Sequence, residues 1–350
     1  MVSIVFIIAM SLLCGAMLVV GCTYLPDERW QVLAAVPTRS CGSGRWHGVN
    51  FTFYGLLTAN AYLMALVMLL VLVAAVDVPL GAFMGLALGM LAVCVPASRW
   101  VAKLVEGKAH TFTVGGAVFV GIVVAPWMIA VVNLFVERPV AMLPTLAALG
   151  ISYAIGEGLG RLACISFGCC YGKPLSQCGP LAQRLFSRFH FVFTGPTKKI
   201  AYASGLDNQP VVPIQALTAI LYVVTAMLGT ILFVLGLYAS AFLLTAIITQ
   251  GWRVYSEVLR ADYRGDQAFS AYQWMGVVGM IYVVLVAWLS PSLGSVVALS
   301  APQIGQGVGA LWNPVVLIVF QGVWLTLFWY TGKSSVTGAS LSFHVHPEKV

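Results

Sequence analysis

The sequence predicts an all-α polytopic membrane protein. The chain of 350 residues is 60% hydrophobic and only 8% charged, where a soluble domain carries about 25% charge. Its mean hydropathy is +0.95. Apolar runs long enough to cross a bilayer, roughly 17–25 residues each, recur from one end of the chain to the other.

The runs lie near 2–22, 51–76, 79–97, 114–134, 141–160, 212–236, 238–256, 271–290 and 312–331. The signal is weakest at 238–256 and 312–331. The first run ends in Val19-Val20-Gly21-Cys22, which has the look of a lipobox. No Lys or Arg precedes its apolar core, whereas a signal peptide has a positive n-region. It is read as an uncleaved helix. Residues 23–50 read as a polar loop with Arg29, Arg39 and Arg45. Residues 161–211, rich in Gly, Pro, Gln and basic side chains, read as a small irregular head domain above the membrane. The tail 332–350 is Ser- and Gly-rich and is expected to be mobile. No internal repeat and no soluble domain is evident.

Eighteen Lys and Arg against eleven Asp and Glu give a net charge of +7. On so apolar a chain this charge suits lipid headgroups, and no long basic tract or nucleic-acid motif accompanies it. If all nine runs span, 17 of the 18 basic residues share the head's face, and only Arg138 lies opposite. The positive-inside rule would place that face in the cytoplasm. Of eight cysteines, Cys22, Cys41, Cys164, Cys169, Cys170 and Cys178 lie in or beside loops of that face. An extracytoplasmic face would permit disulfides, and a cytoplasmic one reactive thiols. Because no Cys-x2-Cys pair occurs, no metal site is assigned. A structural pair of Cys178 with Cys169 or Cys170 is preferred to one.

The organising stretch is 156–174. Gly156, Gly160, Gly168 and Gly172 recur at four- and eight-residue spacing, a pattern that strips one face and lets helices approach closely. Arg161 stands where that face meets the headgroup level, and an arginine there needs an anionic partner or water. The plain alternative is a packing face with a snorkelling arginine. A second group, Arg253, Glu257 and Arg260, falls on one helical face by spacing, or else forms an ion-paired helix end. Gly115 and Gly116 open the fourth run, where a glycine pair also serves helix packing. Gln215 and Gln273 open the sixth and eighth runs. An interfacial glutamine either bonds a glycerol hydroxyl or caps its helix.

Together these pieces resemble the prolipoprotein diacylglyceryl transferase family over roughly residues 50–290. The likeness rests on Gly160-Arg161…Gly168…Tyr171-Gly172, on Pro213-Ile214-Gln215, on Arg253…Glu257…Arg260 and on Gln273, with Tyr54-Gly55-Leu56 at the start of the core. It implies a seven-helix transferase-like core. Residues 1–49 add an N-terminal helix and loop, and 291–350 a further C-terminal helix and tail. It further implies a multi-pass protein of the bacterial plasma (inner) membrane. Such an enzyme moves diacylglycerol from phosphatidylglycerol to the thiol of a prolipoprotein, or to another lipid acceptor, and releases glycerol-1-phosphate. By the same resemblance Arg161 and Arg253 are catalytic through the phosphate. Gly160, Tyr54, Gly115, Gly116, Tyr171, Gln215, Glu257, Arg260 and Gln273 line the substrate. No cofactor, metal or nucleic-acid partner is implied. The head would face the extracytoplasmic side, against the basic-residue count, and that orientation is adopted.

The family pattern is broken at several positions. The family's His-Gly-Gly-Leu reads Val114-Gly115-Gly116-Ala117, so the histidine assigned as base is absent. The stretch 85–90 lacks the arginine of the second family helix. Cys164 and Cys169 stand where the family has an asparagine and an acidic residue. Thr249 stands where it has a tyrosine. His110 is a candidate replacement base and Cys169, with Cys170, a candidate nucleophile. A pre-ionised acceptor would need neither. With the base lost, the alternative is a catalytically altered homologue that binds lipid or assists membrane assembly.

Overall fold

The computed structural model describes residues 1–42, 44–106, 114–261, 269–293, 301–337 and 343–344. Among the described residues the longest helices are α1 (Val2–Tyr24), α2 (Phe53–Ala74), α3 (Leu80–Glu106), α4 (Val114–Val132) and α5 (Met142–Phe167). After the short α6 (Pro180–Phe186) and α7 (Lys199–Ser204) come α8 (Ile214–Val234), α9 (Tyr238–Leu259) and α10 (Ala271–Leu293), then α11 (Ile304–Ala310) and α12 (Pro314–Thr331). Eight of them are long and apolar enough to cross a membrane, which makes this an all-α polytopic membrane architecture.

All nine apolar runs become helices, but α9 is not among the eight apolar spans. Ser240, Thr245, Thr249, Gln250, Arg253 and Glu257 reduce its apolarity. It nevertheless crosses the bundle. A tight turn at Leu235–Leu237 joins it to α8, and its far end pairs with the loop that follows α5, through a Gly172–Arg260 bridge.

The centre is α5, with 61% of its apolar window buried against 11% for α12. It packs on α2, α8 and α9. Small residues set those contacts. A Cβ at Gly156 would lie 2.8 Å from Ala65 of α2, and one at Gly158 would lie 3.2 Å from the Ala219 carbonyl of α8. Buried threonines inside these helices, among them Thr218, Thr230, Thr245 and Thr249, donate back to carbonyls one turn earlier, which satisfies their hydroxyl protons in the apolar interior. Helix α1 packs on α5 and α8, and its Cys14 is fully buried.

Three expectations need correction. The polar loop at 23–50 contains a hairpin of β1 (Val32–Gly42) and β2 (Arg45–Thr52), so the protein is not purely helical. The tail is not wholly free. Residues Phe343–His344 form β5, antiparallel to Arg45 and Trp46 of β2, and the Thr52 amide donates to the Gly332 carbonyl at 2.8 Å. The rest of the tail beyond residue 337 lies outside the described residues. Finally, α3 and α5 run past their apolar segments, to Glu106 and Phe167, because helix propensity and packing continue where apolarity stops.

The head therefore begins at Gly168, whose left-handed φ of 70° closes α5. It holds α6, α7 and the two-residue strands β3 (Phe191–Val192) and β4 (Pro210–Val211), which pair antiparallel. Lys198 ties it down. Its Nζ, fully buried, donates to the Leu25 carbonyl at 2.8 Å and to the Ser166 carbonyl, at the ends of α1 and α5. Burial lowers the Lys198 pKa to about 7, although Asp27 and Glu28 oppose the shift.

Candidate functional site

The site starts from one acidic residue within an apolar helix. Glu157 lies on α5, one turn before Arg161, and the two side chains form an ion pair. Arg253 arrives from α9 and brings Nη2 to 3.6 Å from the same Glu157 oxygen. The same Nη2 donates to the Tyr153 hydroxyl at 2.9 Å. The Tyr153 ring leans edge-on against Tyr222, whose hydroxyl donates to the Thr249 carbonyl at 2.7 Å. All three charged side chains are nearly buried, at 13% exposure for Arg161, 11% for Arg253 and 10% for Glu157.

Two guanidiniums against one carboxylate leave a buried excess of one positive charge. The Nε atoms of both Arg161 and Arg253 are buried and have no hydrogen-bond partner among the described residues. Buried donors of this kind are costly unless something accepts from them. The arrangement is a buried cationic pair with two unpartnered N–H donors.

One predicted residue, Gly115, lies directly against this pair. A Cβ at Gly115 would sit 3.0 Å from Nη1 of Arg253 and 2.7 Å from the Tyr272 ring, so the missing side chain brings the start of α4 against the guanidinium. Gly160 lies on the α2 side of α5, with ordinary contact to Ala61. Gln215 is buried at the start of α8. Its Nε2 donates to the Cys169 carbonyl at 2.8 Å, while its Oε1 is buried without a partner among the described residues. Tyr54, at the start of α2, packs edge-on against Phe167 at 5.7 Å and lies within electrostatic range of Cys164, Cys169 and Cys170.

Others serve the frame. Gly116 packs on Val101 of α3, where a Cβ would lie 2.4 Å from the Val101 Cβ. Tyr171 is buried in the head and its hydroxyl meets that of Ser204. Gln273 caps α10. Its Oε1 accepts from the Ser270 amide at 2.8 Å, the Ser270 hydroxyl accepts from the Gln273 amide at 3.2 Å, and Nε2 donates to the Val254 carbonyl at 3.0 Å. This reciprocal cap is the second of the two roles the sequence left open.

The glycine and charge patterns are also corrected. Gly168 and Gly172 do not continue the helical face of Gly156 and Gly160, because α5 has already ended. Gly172 is instead pressed against Val212, whose carbonyl would be 2.3 Å from an added Cβ. Arg260 follows the last residue of α9 in extended conformation, so it leaves the face that Arg253 and Glu257 share. The carboxylate that Arg253 approaches is Glu157 of α5, not Glu257 one turn along its own helix. Glu157, Tyr153 and Tyr222 escaped the sequence reading. The signal for Glu157 was present, as an acidic residue in an apolar run placed four before an arginine.

The loop after α5 brings Cys164, Cys169 and Cys170 together, with all three sulfurs within 4.8 Å of one another. All eight cysteines are free thiols, which corrects the expected pairing with Cys178. The turn at Leu175–Gln177 carries Cys178 away from the trio, and its thiol donates to the Pro174 carbonyl at 3.5 Å. Within the trio the Cys170 thiol is pushed well down by hydrogen bonds from Cys164 and Cys169, with Arg260 and Arg161 adding to the effect. The Cys169 thiol is pushed up, chiefly by its bonds to Cys164 and Cys170. His110 lies outside the described residues.

A separate apolar groove of about 550 Å³ runs between α2 and α12, lined by Leu63, Val67, Leu317, Phe320, Trp324 and Leu325. None of the predicted site residues lines it. No family model matches the chain, and no curated protein matches it.

Proposed function

We propose that the chain is a divergent prolipoprotein diacylglyceryl transferase that uses phosphatidylglycerol. The observation that carries the reading is the convergence of Arg161 and Arg253 on one carboxylate, with both Nε groups buried and unpartnered. Those donors and the excess positive charge call for an anion with several acceptor oxygens. A lipid phosphate is the anion that reaches such a depth from the bilayer. On this reading α2–α5 and α8–α10 are the seven-helix core, α1 and α12 are additions, and the protein lies in a bacterial inner membrane.

The resemblance implies the chemistry, and the two arginines suit it. An acceptor thiolate attacks the glyceryl carbon that bears the phosphate. The carbon–oxygen bond breaks, its electron pair stays on the phosphate oxygen, and a thioether forms. The new negative charge on glycerol-1-phosphate falls to two guanidiniums that are already oriented in a dry site. The orphaned Oε1 of Gln215 is suited to accept from a hydroxyl of the glycerol headgroup. Arginine cannot take the acceptor's proton, because its pKa exceeds about 12. The acceptor must arrive ionised or be ionised by another group.

A second reading is favoured by one observation. Val114 occupies the place of the family histidine and is 47% exposed. A chain with the lipid site and no base would be a lipid-binding or assembly protein. The two readings separate when the purified chain is given headgroup-labelled phosphatidylglycerol and a lipobox peptide. Release of glycerol-1-phosphate, falling at least about 100-fold in Arg253→Ala, supports the transferase. Phosphatidylglycerol binding with no release supports the binder. Neither binding nor release overturns both.

A further inference from the structure

We propose that Cys164, Cys169 and Cys170 form a zinc site with three protein ligands and an open fourth position. The inference deepens the transferase reading and, for its role in catalysis, rests on it. The metal site itself does not.

The three sulfurs come from two sources that the fold locks together. Cys164 projects from the last turn of α5, and Cys169 and Cys170 follow the left-handed Gly168 that ends it. The carbonyl of Cys169 is fixed by Gln215, and Cys170 itself is held at a φ of +56°, a conformation that a residue with a side chain adopts only under constraint. The strand-like pairing of Gly172 with Arg260, and of the Ala261 amide with the Tyr171 carbonyl at 3.1 Å, holds the loop from its far side. The result is three thiols within 4.8 Å of one another, each half-buried. Zinc–sulfur bonds of about 2.3 Å in a tetrahedral site put sulfurs about 3.8 Å apart. Side-chain rotations of about 1 Å therefore close the trio on an ion.

Three ligands and one vacancy distinguish a catalytic zinc from a structural one. Charge supports the assignment. Zinc with three thiolates carries one net negative charge, and a fourth thiolate makes it two. Arg260, within electrostatic range of Cys170, supplies one compensating positive, and Arg161, already paired with Glu157, lies nearby. The site also answers the lack of a histidine at position 114. A thiol bound in the fourth position loses its proton to solvent at neutral pH, because a coordinating thiol is deprotonated outright. The zinc-bound sulfur is then the nucleophile that attacks the glyceryl carbon, while the phosphate departs toward Arg161 and Arg253.

The test uses the full chain, reduced, in detergent and without a histidine tag. Titration with Co²⁺ should show one saturable equivalent with thiolate-to-cobalt charge-transfer absorption, bleached by Zn²⁺. In the same protein Zn²⁺ should shield Cys164, Cys169 and Cys170, but not the exposed Cys41, from a maleimide, as mapped by mass spectrometry. Cys170→Ser should weaken cobalt binding more than about 100-fold, beyond the loss typical of an outer-shell change, and Cys178→Ser should leave it unchanged. The proposal is overturned if the wild-type chain shows no saturable cobalt absorption. It is equally overturned by a disulfide within the trio, or by shielding that falls on other cysteines. Failure here is separable from failure of the transferase reading. Glycerol-1-phosphate release that persists in a Cys164→Ser protein unable to bind cobalt removes the catalytic role of the zinc alone. Cobalt binding without any release removes the transferase alone.

Discussion

Arg253 of α9 and Arg161 of α5, far apart in the chain, share one oxygen of Glu157. Glu157 is thus an anchor for both guanidiniums. Replacing it with Gln leaves two buried cations facing each other. Glu157→Gln should lower stability by about 3 kcal/mol in a neutral detergent, the scale of breaking a buried ion pair. Added phosphatidylglycerol should restore much of that loss, whereas diacylglycerol should not. Thermal unfolding in the two lipids measures this.

Lys198 gives a pH dependence with a definite sign. Burial holds its folded pKa at about 7, below the ordinary lysine value of 10.5. The unfolded chain therefore binds the proton more tightly. Stability rises as pH climbs from about 7 toward 10.5 and is lost again as pH falls. The gain is on the order of 5 kcal/mol across that window. A neutral amine also has two N–H groups for its two carbonyls, Leu25 and Ser166. The melting temperature of the wild type should climb over this range more steeply than that of Lys198→Met. Equal slopes would assign the effect to other groups.

The head is docked through Gly172. Gly172→Ala would place a Cβ 2.3 Å from the Val212 carbonyl, so the loop that carries the cysteines must shift. A loss of about 2 kcal/mol or more is expected, together with increased maleimide reactivity of Cys169 and Cys170. Gly179→Ala meets nothing within 4 Å and should change little. Comparison of thiol reactivity in the two variants checks the assignment.

Orientation is tested at Cys41, exposed on β1. In intact cells an impermeant maleimide should label Cys41 if the head faces outward, as the transferase reading requires. Labelling only after permeabilisation would side with the basic-residue count.

How far the sequence leads differs between elements. Helix positions were legible because all the runs but α9 are predominantly apolar over a length that crosses a bilayer. Arg161 and Arg253 were legible because a charge in such a run needs a reason. Their meeting was not, since it depends on how α5 and α9 cross. Spacing within one helix pointed to Glu257 in place of Glu157. The hairpin was hidden by its register shifts, near Val32/Ala34, Pro37/Arg39 and Ser40/Gly42, which break the alternation that marks a strand. The cysteine trio was hidden because only the left-handed turn at Gly168 folds Cys169 and Cys170 back toward Cys164.

The central claim is that Arg161 and Arg253 hold one lipid phosphate between them. Native mass spectrometry of the purified chain can compare phosphatidylglycerol with diacylglycerol of the same acyl chains, in the wild type, Arg161→Ala, Arg253→Ala and the double variant. Each single variant should lose at least about 10-fold in preference for phosphatidylglycerol, a charge-assisted bond being worth about 1.5–3 kcal/mol. The double variant should lose less than the product of the two, because both groups grip the same ligand. Wild-type preference in both single variants, or losses that multiply independently, would contradict the claim.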